Sequence, residues 1–160
     1  MKHACFVISI IFFFVACAGV DTQTKKNFKN TENTISIKDL TKGDYKTVAA
    51  GSKLEYALED MVARSMFIIT QENPKYVLKY KILDYSEGSR IGRFSTFGFS
   101  KSAQGKLKVK AALYDEGHKV GAWTINSWIK GGLFGGNPRN LFIKTSDEIS
   151  KHLRGKDLPF

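Results

Sequence analysis

Apolar and polar positions divide the chain into an apolar leader, a polar stretch and a patterned region that begins near Thr34. Ile35 and Ile37 alternate with Ser36 and Lys38, which predicts a short half-buried strand. Ser52-Lys53-Leu54-Glu55 has the form of a capping box, in which hydroxyl and carboxylate close opposite ends of a first helical turn. Leu54, Leu58, Met61, Val62 and Ser65 follow at helical spacing, so an amphipathic helix is expected over residues 53 to 65. Residues 66 to 70 read as a buried strand, and Asn73-Pro74 marks the turn after it.

Three longer strands follow. Over residues 75 to 85, Tyr76, Leu78, Tyr80 and Ile82 share one face, with Val77, Lys79, Lys81, Leu83 and Tyr85 on the other. Over residues 105 to 114, Leu107, Val109, Ala111 and Leu113 face one way and Lys106, Lys108 and Lys110 the other. Asp115-Glu116-Gly117 then turns the chain into a strand over residues 119 to 129, a hairpin. There Trp123, Ile125 and Ile129 share a face, opposite Val120, Thr124, Asn126 and Trp128. Asn137-Pro138 opens a closing helix, with a buried stripe of Leu141, Phe142, Thr145, Ile149 and Leu153. Lys151, His152 and Arg154 sit in its last turn, where cations favour the helix dipole, and Gly155 ends it. The order β-α-β-β-β-β-α predicts an α+β two-layer sandwich. Its mostly antiparallel sheet has about five strands, with both helices on one face.

The leader carries an address. Met1, Lys2 and His3 form a short basic start before the apolar run Phe6 to Ala16. That run rises roughly 16 Å as a helix, about half of the ~30 Å hydrocarbon core, so it is a secretory signal and not a membrane span. Phe14-Val15-Ala16-Cys17 resembles the lipobox of bacterial lipoproteins, with Phe14 where Leu is usual. The expectation is a signal peptide over 1–16, lipid on Cys17, a flexible tether over 17–33 and one domain over 34–160. As a coil, the polar residues after Cys17 would span roughly 20 to 25 Å. Ala18 at the second mature position points to the outer membrane, by the sorting rule general to such lipoproteins. The alternative is cleavage after Ala18, since Ala16-Cys17-Ala18 is also a small-x-small signature, which yields a soluble exported ligand-binding protein.

Charge changes the picture only in combination with this address. The chain has 25 basic and 15 acidic residues. Loss of the leader removes Lys2, leaving 24 against 15 and a net charge of +9. Outside the cytoplasm the anions on offer are lipid head groups, envelope polymers and acidic proteins, so no nucleic-acid partner is expected. The cysteines are Cys5, which is discarded, and Cys17, so the mature domain holds no disulfide and no cysteine metal site.

Residues 75 to 153 resemble a family of bacterial lipoproteins catalogued as domain of unknown function 4410. Carrying the likeness are Tyr76-Val77-Leu78, a strand closing in Asp84, Glu87-Gly88-Ser89-Arg90 and Gly98-Phe99. Gly105-Lys106-Leu107-Lys108-Val109, Val120-Gly121-Ala122-Trp123, the segment Gly131-Gly132-Leu133-Phe134-Gly135-Gly136 and Glu148-Ile149 continue it. The resemblance implies a periplasm-facing lipoprotein and brings no assigned activity.

Four features are candidates for function. Lys79, Lys81, Lys106, Lys108 and Lys110 form a face that is either a solvated outer surface or a docking site for an anionic polymer or acidic protein. The loop over residues 86 to 101 carries Arg90, Arg93, Phe94, Phe97 and Phe99, suited to a protein interface, to insertion at a lipid surface, or to capping the core. Gly131 to Gly136 is a turn before a helix and lacks the Lys-Ser/Thr pair of a phosphate loop. His118 beside Glu116, His152, and the adjacent Glu59 and Asp60 belong to no catalytic or metal-spacing motif. Neither enzymatic activity, a metal nor a cofactor is expected.

Overall fold

The computed structural model describes residues 18–26, 29, 31–88, 104–129 and 136–155. Elements run in the order β1 (Ala18–Lys26), β2 (Thr34–Asp39), α1 (Tyr45–Ala63), β3 (Ile68–Ile69), β4 (Tyr76–Ser86), β5 (Gly105–Asp115), β6 (His118–Ile129) and α2 (Arg139–Arg154). The six strands form one open sheet in the order β1-β6-β5-β4-β2-β3. The β1–β6, β6–β5 and β5–β4 pairs are antiparallel, whereas β2 runs parallel to both β4 and β3. Both helices pack against one side of the sheet and against each other, which makes the expected α+β sandwich.

Period-two alternation builds the central sheet. Tyr76, Leu78, Tyr80 and Ile82 of β4 are buried, as are Leu107, Val109, Ala111 and Leu113 of β5 and Trp123, Ile125 and Ile129 of β6. From the other side, Leu54, Leu58 and Val62 of α1 and Leu141, Phe142, Ile149 and Leu153 of α2 close the core. Two hydrogen bonds between buried groups join the layers. The Ser127 and Thr145 hydroxyls are 2.7 Å apart, joining β6 to α2. Tyr80 donates its hydroxyl to the Gly51 carbonyl of α1 at 3.0 Å. Burial, then the nearby Asp39 charge, pushes the Tyr80 phenol far up, so it remains a donor. The His152 ring stacks on Trp123 with centroids 5.2 Å apart.

The β5–β6 hairpin turns at Glu116 and Gly117, both at positive φ (47° and 84°). Two successive positive φ values match the right-handed strand twist, and glycine takes one without a Cβ clash.

Three expectations are corrected. Ala18–Lys26, read as part of a flexible tether, is an edge strand paired with β6 from Ala18↔Ile129 to Lys26↔Ala122. It forms because the free edge of β6 supplies backbone partners, Ala18 and Val20 pack on the core, and the Thr22 hydroxyl donates to Glu148 at 3.0 Å. The sheet therefore has six strands. Helix α1 starts about two turns earlier than the capping box implied. The Asp44 carboxylate caps it by accepting from the Thr47 amide at 2.8 Å, which also lowers the Asp44 pKa, and Ser52 and Glu55 lie within the helix. The buried strand expected over residues 66 to 70 is only the two-residue β3, with Ile68 57% and Met66 49% exposed and Phe67 alone turned fully inward.

The Ser127–Thr145 bond yields a stability test. Thr145→Val keeps the side-chain shape and leaves the buried Ser127 hydroxyl without its partner, which should cost about 1–3 kcal/mol in urea unfolding. The double variant Ser127→Ala/Thr145→Val should regain most of that loss, because neither side then buries an unpaired hydroxyl.

Candidate functional site: the open face of the sheet

With both helices on one side, the other side of the sheet carries the outward residue of every alternation. The strand register sets these in four rows. Ser86, Lys106, Trp128 and Gly19 form the first; Asp84, Lys108, Asn126 and Asp21 the second. Lys81, Lys110, Thr124 and Gln23 form the third, and Lys38, Lys79, Ala112, Ala122 and Lys26 the fourth. All five lysines expected on one face are brought together there. The parallel pairing of β2 adds Lys38 beside Lys79.

Electrostatics on this face are one-sided. Among the described residues, seven lysines of these four rows share it with two carboxylates, Asp84 and Asp21. Ion pairs of the described residues lie elsewhere: Lys75 with Asp115 and Glu116, Arg64 with Asp60, Lys151 with Asp147, and Lys53 with Glu87. Lys81 stands directly opposite Lys110, a like-charge pair across neighbouring strands. Lys79 is half-buried, its ammonium 4.5 Å from the Tyr114 ring centroid, with that of Lys119 6.0 Å away. The aromatic ring takes up part of the charge that no carboxylate neutralises.

At one end of the face lies a shallow groove of about 450 Å³, lined by Asp84, Gln104, Lys106, Lys108, Asn126 and Trp128. Its wall is Trp128, half-buried. A Cβ at Gly19 would fall 2.3 Å from the Trp128 ring, so the indole lies against bare β1 backbone. Trp128 was not among the expected site residues. Its outward direction was legible, since it shares parity with Thr124 and Asn126, but the groove needs β1 as a backing.

A second hollow, about 850 Å³, runs between the helices on the far side, lined by Tyr56, Met61, Arg64, Pro138, Phe142 and Ile143 among others. Neither hollow is lined by a histidine. Among the described residues no group of three or more His, Cys, Asp or Glu is placed to hold a metal, and no helix is long and apolar enough to cross a membrane. Glu116, beside His118, faces Lys75 at 3.4 Å. Cys17, Arg90, Arg93, Phe94, Phe97 and Phe99 lie outside the described residues, as does Gly131 to Gly135.

Fold and face together define a class: a small α+β sandwich whose sheet side away from the helices is, among the described residues, uncovered and cationic. Among solved structures it is similar to PelC from Paraburkholderia phytofirmans, which was solved as a dodecamer. The TM-score is 0.52 at 12% identity, covering 88% of this chain and 100% of that one. It is also similar to a minor lipoprotein from Acinetobacter baumannii (TM-score 0.48, 16% identity, 76% of this chain and 90% of that one). A lipoprotein from Neisseria meningitidis gives 0.45 at 12% identity, over 75% of this chain and 97% of that one. At such identities the likeness to PelC speaks for the fold alone. No family model matches the chain, and no curated protein sequence matches it, so the likeness to domain of unknown function 4410 rests on its motifs.

The like-charge pair provides a check on the register. Lys81→Glu should raise stability by about 0.2–1 kcal/mol at low salt by converting repulsion of Lys110 into attraction. The gain should vanish near 1 M salt, where screening acts over about 3 Å.

Proposed function

We propose that the chain is an exported lipoprotein, anchored by lipid on Cys17 to the periplasmic side of the outer membrane. There it acts as a non-catalytic binding or assembly module of the cell envelope. Its open lysine face engages an anionic envelope partner, an acidic protein or an anionic polymer.

The observation that carries this reading is the lysine excess on a sheet face that the described residues leave uncovered. A stable fold gains nothing from placing Lys81 against Lys110, whereas an anionic partner would turn that repulsion into attraction. The anchor draws support from the leader and from β1. Ala18 and Gly19 are paired with Ile129 and Trp128. Cleavage before Cys17 keeps that strand whole, whereas cleavage after Ala18 would remove its first paired residue.

The test is radiolabelled fatty-acid incorporation with membrane fractionation for the wild type and Cys17→Ser. Label in the wild type that disappears in the variant, with protein in the outer-membrane fraction, is the expected outcome. Unlabelled, freely soluble periplasmic protein from both strains would overturn the anchor.

A further inference from the structure

The groove of Trp128 and Lys106 sits at the end of the sheet nearest Cys17. Ala18 is the first residue of β1 and pairs with Ile129, which in turn pairs with Gly105. Gly19, the next residue, lies against Trp128. Successive Cα atoms are 3.8 Å apart, so the Cys17 Cα is within about 8 Å of the Gly19 Cα under the indole. No flexible spacer separates the anchor from the folded domain, because the strand begins at the residue after Cys17.

From this placement, and resting on lipidation of Cys17, we infer that the groove of Trp128, Lys106, Lys108 and Gln104 is a contact surface for the head groups of the protein's own membrane. It seats the domain end-on, with its strands rising from the bilayer.

Three physical points carry the inference. Acyl chains on Cys17 would lie in the hydrocarbon layer, so residues a few ångströms along the chain would stand at head-group depth. Trp is the side chain best suited to that depth, since its indole combines a broad apolar face with one N–H donor. Lys106 and Lys108 lie in the two rows nearest the anchor, within reach of lipid phosphates, and an anionic leaflet attracts each such lysine.

The same arithmetic divides the face. Alternate residues along a strand are about 7 Å apart, so the row of Lys38 and Lys79 stands roughly 20 Å above that of Trp128. That exceeds the ~8 Å screening length at physiological salt. The upper lysines are therefore out of reach of the lipid surface and free for the partner proposed above.

The two tryptophans make this measurable, because Trp123 is buried in the core (2% exposed) while Trp128 faces the groove. The lipidated full-length chain is extracted in detergent and reconstituted into vesicles of phosphatidylglycerol and phosphatidylcholine. Part of the phosphatidylcholine carries a nitroxide on its head group, and tryptophan emission is recorded. Quenching is expected for the wild type, with its loss in Trp128→Phe and a marked reduction in Lys106→Gln/Lys108→Gln. Lys79→Gln/Lys81→Gln should quench like the wild type.

Unquenched wild-type emission would overturn the inference, and binding of soluble polygalacturonate by that same protein would assign the groove to a polymer. Equal loss in both lysine pairs would overturn the end-on seating in favour of a domain lying flat on the face. If fatty-acid labelling shows no lipid on Cys17, the anchor itself falls. That result is read before reconstitution and is distinct from a lipidated chain whose Trp128 stays unquenched.

Discussion

Covering one side of the β4–β5–β6 sheet with two helices is the constraint on which the rest depends. An antiparallel sheet of this size needs one buried face, and alternation along the three strands puts most of their large apolar side chains on it, with Leu83 and Trp128 among the exceptions. Helices α1 and α2 then close the layer, with the buried Ser127–Thr145 and Tyr80–Gly51 hydrogen bonds setting their positions. A one-residue slip would exchange the whole apolar set for lysines, so register is strongly specified.

The other face follows from the same rule. Whatever alternates with the core must point outward, and here that is lysine on β2, β4 and β5 and Trp128 and Asn126 on β6. The core settles which way these residues point and leaves their chemistry open. Tyr114 lies under Lys79 and near Lys119, and Trp128 lies on Gly19, so two aromatic rings are embedded in the charged surface. Where lysines stand opposite one another, as Lys81 does Lys110, this surface carries a small like-charge cost.

Strand β1 ties this face to the leader. Its alternation is faint, with Ala18, Val20, Thr22 and Thr24 towards the helices and Gly19, Asp21 and Gln23 outward. Its role is geometric. It completes the groove behind Trp128, and the Thr22–Glu148 hydrogen bond joins it to α2. A lipid on the residue just before it would act on a rigid sheet edge instead of the end of a loose coil.

Local signals determined much of this. Period-two patterning identified β4, β5 and β6 and most of their buried faces, and the Asp115-Glu116-Gly117 turn joined the last two, because these are properties of neighbouring residues; register shifts near Ile82 and Tyr114 turned Tyr85 and Val120, read as outward, onto the core. The closing helix was legible for the same reason, its stripe of Leu141, Phe142, Thr145, Ile149 and Leu153 being buried throughout. Five lysines on one face followed from parity alone. Tertiary structure decided what depends on distant partners. Residues 18 to 26 are too polar to fold by themselves and became a strand only because β6 offers a free edge. The start of α1 was itself local, set by the Asp44 cap on Thr47 with Tyr45 and Val48 still exposed, whereas β3 keeps only the two residues that pair with β2. Trp128 and Lys106 form a groove only once β1, β5 and β6 lie side by side, since strand pairing across about a hundred residues leaves no trace in the local sequence.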